Sequence, residues 1–193
     1  MTRKTTARRE RTPEEFIELE FARFKRGLGR ERDPVALVLR AHLFAEAVFD
    51  RMILAKLPRG DKVLDSAQLT YLQKLFLLEA TQSIPDGAAS AFRGLNKVRN
   101  QCAHELGKSI QDADVTRIGS PLGAEFAKMR RHCGYDVRST LGMLLSYLIG
   151  FLTALCVKLE EAAASKSRVF SKQDQSVNSA MPGLDKGRDP GVA

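Results

Sequence analysis

Residues 141–157 read LGMLLSYLIGFLTALCV, a run without a single charged side chain. Such a run has two physical fates. It spans a bilayer, which takes about 20 apolar residues, or it forms the central helix of a bundle. Ser146, Tyr147, Thr153 and two glycines interrupt the run. No second run like it exists, and the other segments carry apolar stripes that need a partner. A central bundle helix is therefore the expectation, and no membrane contact is expected. Gly142, Ser146, Gly150 and Ala154 recur every fourth residue. This small stripe permits close approach by another helix, expected within the protomer, with a second copy as the alternative.

The rest of the chain reads as helices with recognisable ends. Its 193 residues are 44% hydrophobic and 28% charged, enough for one globular domain with a real core. Thr12-Pro13-Glu14-Glu15 has the hydroxyl, proline and glutamate of a capped helix start. Asp33-Pro34 repeats that logic for a helix reaching about Leu57, with Pro58 and Gly60 as its stop. Ser66 is expected to cap a third helix through Glu79. Pro85-Asp86-Gly87 opens a fourth, to His104 or Glu105, which Gly107 ends. Shorter pieces follow from an Asp112 or Asp114 cap, broken at Gly119-Ser120-Pro121 and Gly134, before Asp136 caps the long last helix to about Ala164. The expected fold is all-α, a bundle of about five to six helices over residues 12–164. A disordered basic arm (1–11) precedes it and a disordered tail (165–193) follows it.

Charge and cysteine usage narrow the function classes. Of the net charge of +8, residues 1–12 hold +4 and residues 165–193 hold +2, so the folded middle is close to neutral. The basicity describes sticky ends rather than a basic binding face. Cys102, Cys133 and Cys156 have no framework spacing, as expected of a reducing cytoplasm. The basic N-terminus is not followed by an apolar run, so a secretory leader is not expected. Cys102, His104, His132 and Cys133 lack the paired spacing of a zinc site, and no metal or other cofactor is expected.

One constellation suits chemistry. Asn100 and His104 are four residues apart on the fourth helix, and Arg99 reaches the same region with its longer side chain. Arginine is a permanent, bidentate phosphate ligand, histidine moves a proton near neutral pH, and an amide orients either. Together they suit cleavage of a phosphodiester. Without metal ligands the accessible nucleophile is the neighbouring 2′-hydroxyl, which only RNA has. The same residues also suit a plain helix end, with Arg99 and Asn100 solvating it and His104 meeting its last carbonyls.

Arg99-Asn100 followed by His104, late in a helix of a small bundle, resembles the Arg-Asn-x3-His signature of the HEPN superfamily. Residues 41–53 (AHLFAEAVFDRMI) resemble that superfamily's first core helix. Residues 69–106 resemble its paired helices, and also the mannitol-operon repressor branch that shares the bundle. The resemblance covers roughly residues 33–160. It implies a homodimer whose two motifs face each other across a two-fold axis and cut RNA without metal, in a toxin or antiviral-defence role that an antitoxin protein would restrain. Arg99 would hold the phosphate, His104 would transfer the proton, Asn100 would orient, and Glu46 and His42 on the earlier helix would support the site. His42, Glu46 and Asp50 stand at four-residue spacing, as a solvated helix face would also have them. The repressor-like branch implies instead a non-catalytic regulator or interaction module. Binding of nucleic acid through the basic ends is a third class.

Overall fold

The computed structural model describes residues 33–179, together with Leu19, Ala22 and Arg26, and side-chain surroundings as far as Ser165. The helix expected from Thr12 and the arm 1–11 lie outside the described residues, except for those three helical positions. Among the described residues the chain is helical with no strand.

The helices are α1 (Pro34–Lys56), α2 (Gly60–Ala67), α3 (Tyr71–Ala80), α4 (Asp86–His104), α5 (Asp112–Gly119), α6 (Ala124–His132) and α7 (Val137–Ser179), with a 3-10 turn at Ser120–Leu122. Helix α1 starts where expected: the Asp33 carboxylate accepts from Val35 N–H at 3.0 Å, with proline in the first turn. It buries Leu37, Val38, Ala41, His42, Ala45, Val48, Phe49, Met52 and Ile53, one continuous stripe. Phe49 meets Phe92 of α4 edge to face at 5.4 Å, and His42 meets Asn96, so α1 and α4 run antiparallel. Helix α7 buries Leu141, Leu144, Leu145, Leu148, Ile149, Leu152 and Cys156, each such side chain worth about 1.5–3 kcal/mol of burial. The Arg51 guanidinium of α1 holds both Glu160 oxygens, at 2.8 and 2.9 Å.

The uncharged run is therefore a core helix on one side. Val137–Ser165 is long and apolar enough to cross a membrane, and half of its most apolar window is buried in the protein. The small stripe does not make the contact expected of it. Ala154 is exposed, Gly142, Ser146 and Gly150 are half-buried, and a side chain at Gly142 would meet nothing within 4 Å. The stripe lies beside the buried leucine face rather than within it.

Other expectations are corrected. Gly60 does not end α1; it begins α2 and is buried, with a Cβ there falling 2.7 Å from the Ile53 carbonyl oxygen. Glycine is used because two backbones nearly touch. Ser66 lies inside α2, and Thr70 caps α3 in a reciprocal box with Gln73. Gln111 caps α5, with Asp114 reaching back to its N–H at 3.0 Å. Helix α5 ends at Gly119 and gives way to the 3-10 turn over Ser120–Leu122, as expected, and a further break follows at Gly123, whose φ of 58° favours glycine. Asp136 caps α7 as expected, accepting from Ser139 N–H at 2.8 Å. The helix runs to Ser179 rather than ending near Ala164. Ala162–Ala164 favour it, and no glycine or proline appears before Pro182. The described residues from Glu161 onward form a unit of their own.

Gly94 provides a test of the packing. A Cβ there would fall 2.7 Å from the Arg117 carbonyl oxygen and 3.1 Å from Ile118 Cα. Backbone cannot yield as a side chain can. Gly94→Ala is expected to destabilise the fold by about 1–3 kcal/mol, read as a lower urea midpoint at unchanged slope.

Candidate functional site

Helix α4 is two-sided. Ala88, Ala89, Ala91, Phe92, Gly94, Leu95 and Val98 are buried, which leaves Asn96, Arg99, Asn100 and His104 at its margins. Asp86 lies in the first turn, after Pro85. The helix closes when Glu105 N–H donates to the Gln101 carbonyl, and Gly107 turns the chain away at φ 78°.

The structure brings Arg99 and Asn100 together. Arg99 Nη1 donates to Asn100 Oδ1 at 3.1 Å, and both side chains are half-buried. This uses one of the five N–H donors of the guanidinium. His104, one turn on from Asn100, is exposed in the last turn. The helix end thus presents a permanent cation, an amide whose oxygen accepts from it, and an imidazole open to solvent. Cys102, between them, packs against the core, and burial raises its thiol pKa, which keeps it protonated and unreactive.

The two supporting residues have distinct surroundings. Glu46 forms an ion pair with Lys74 of α3 at 3.2 Å, and Asp50 shares the same ammonium at 2.8 Å. His42 is 4% exposed, so α1 does not carry it on a solvated face, whereas Glu46 and Asp50 stay partly exposed. Its ring stacks on Tyr71, with centroids 4.0 Å apart and 17° between planes, and its Nε2 lies 3.0 Å from Asn96 Oδ1. His42 Nδ1 is buried without a hydrogen-bond partner among the described residues. Burial lowers the pKa of His42, with Arg99 acting in the same sense, while Asn96 and Glu46 oppose them. Asn96, Tyr71 and Lys74 were not among the sequence candidates. The signal for Asn96 was available: it stands four residues before Asn100 and eight before His104.

No three His, Cys, Asp or Glu side chains form a metal-holding group among the described residues, so Cys102, His104, His132 and Cys133 do not make one. No family model, curated protein or solved structure matches the chain.

The lowered pKa of His42 makes stability depend on pH. The unfolded state binds the proton near pH 6.5 and the folded state only at lower pH, so stability falls as pH drops below 6.5 and levels off below the folded value. The slope of thermal unfolding temperature against pH between 7 and 5 should be shallower in His42→Phe than in the wild type. An equal slope would remove His42 as its source.

Proposed function

We propose that the chain is a metal-independent endoribonuclease whose site is completed by a second copy. The observation that carries this reading is the end of α4, where the Arg99–Asn100 pair stands one turn from an exposed His104. The resemblance of residues 99–104 and their flanking helices to HEPN proteins supports it. The guanidinium suits a phosphodiester oxygen and the negative charge that grows there during attack. One copy of His104 takes the proton of an RNA 2′-hydroxyl as its oxygen bonds to phosphorus. The bond to the 5′-oxygen breaks, and the partner subunit's His104 protonates that leaving oxygen. The products are a 2′,3′-cyclic phosphate and a 5′-hydroxyl, with no net gain or loss of protons. Base and acid must stand on opposite sides of one phosphate, and a two-fold axis between α4 ends supplies both from one motif. The reading includes a cytoplasmic setting, no membrane partner, and restraint by an antitoxin or a defence trigger.

The test is cleavage of single-stranded RNA by purified protein in EDTA, with the ends analysed for cyclic phosphate. His104→Ala and Arg99→Ala should each lower the rate by about 10²–10⁴, and induced expression of the wild type alone should arrest growth. Cleavage that survives His104→Ala overturns the assignment. Absence of any cleavage, with growth unaffected by the wild type and both variants, returns the bundle to the regulator class.

A further inference from the structure

Three groups in the seam between α1, α3 and α4 are held more tightly than a surface site requires. Tyr71 lies flat against the His42 ring, Asn96 fixes Nε2, and the opposite nitrogen, Nδ1, is buried with no partner. The tautomer that completes the hydrogen bond to Asn96 Oδ1 has its proton on Nε2 and leaves Nδ1 as a bare acceptor. Arg99 follows Asn96 by three residues, so it rises from the same edge of α4 one turn further on. Asn100 occupies one of its N–H groups. The charged and titratable groups facing His42 are Glu46 on its own helix, Tyr71 on α3 and Arg99 on α4. Lys74 is engaged by Glu46 and Asp50.

We propose that His42 is a positioning residue for Arg99: its neutral ring offers Nδ1 as a second seat for the guanidinium, and protonation replaces that seat with a cation that drives Arg99 toward Asn100 and solvent. With Asn100 as the observed seat and His42 Nδ1 as the other, the guanidinium occupies either the helix margin or the seam. A protonated ring has no acceptor left and adds like-charge repulsion. Under the ribonuclease reading, on which this consequence rests, His42 never touches RNA and sets how much Arg99 charge faces the phosphate.

The experiment follows the Arg99 Nε–H resonance and the His42 ring nitrogens by NMR from pH 7.5 to 5, with and without His104→Ala. Arg99→Lys identifies the resonance. In the wild type the Arg99 signal should move with the His42 midpoint, below pH 6.5. In His42→Phe, which keeps a ring on Tyr71, it should stay flat. Asn96→Asp gives the imidazolium a carboxylate, so both midpoints should rise together by about one unit; this variant decides the matter if His42→Phe does not fold. An Arg99 signal that ignores the His42 titration, or midpoints that separate in Asn96→Asp, overturns the proposal. Cleavage in EDTA is read in parallel, with kcat expected to follow the same midpoint. Wild-type protein that cuts no RNA overturns the ribonuclease reading, while the NMR midpoints still decide the positioning of Arg99.

Discussion

The close approach of α4 to α5 at Gly94 fixes the orientation of everything that follows. With no side chain at 94, the Arg117 carbonyl and Ile118 Cα come within ordinary contact of the α4 backbone. Ala88, Ala89 and Ala91 are the other small buried positions of α4, and Arg117 Nη1 donates to Gln101 Oε1 at 3.0 Å further along. A helix held this tightly along one side cannot roll. Its other edge, with Phe92, Asn96 and Arg99, is therefore turned to α1 and α3, and the last turn extends beyond the core.

The seam on that edge is polar where a core would usually be apolar. Lys74 lies between Glu46 and Asp50, and its own ammonium is mostly covered. Half-buried ion pairs contribute modestly to stability because desolvation offsets attraction, but they penalise any slip in register, which would strand a charge. The pairing sets α3 against α1. Tyr71, three residues before Lys74, then falls on His42 and Phe49. The stack under His42 is thus a consequence of the register that the ion pairs select, and its neutrality follows from the burial that the stack imposes.

Local chemistry was legible in the sequence wherever it was decided by a few neighbouring residues. Asp33-Pro34, Pro85-Asp86 and Asp136 each mark a helix start that the structure has. The errors lie where a residue type has two uses. Gly60 read as a stop, but it begins the next helix and has no room for a side chain, because the Ile53 carbonyl and Leu54 Cα of the preceding helix lie against it. Ser66 read as a cap, while the residue that caps is Thr70, which has a Gln at the right offset to answer it. The motif spacing placed Arg99, Asn100 and His104 at one helix end, as found. It gave no means of knowing that Asn100 is committed to Arg99, or that Asn96 holds a histidine on another helix 54 residues away.

The inventory of histidines carries the last step. Proton transfer to and from one phosphodiester takes a base and an acid on opposite sides, and the chain has three histidines. His42 is sealed between Tyr71 and Asn96, so it can influence Arg99 but cannot reach a ribose hydroxyl or a leaving oxygen. His132 ends a different helix, α6. The end of α4 offers one exposed imidazole per protomer, His104, beside one Arg99 guanidinium. A lone protomer therefore brings a single histidine to this helix end. Pairing two α4 ends would supply a second imidazole without adding a residue to the motif, which is why the ribonuclease reading includes a second copy.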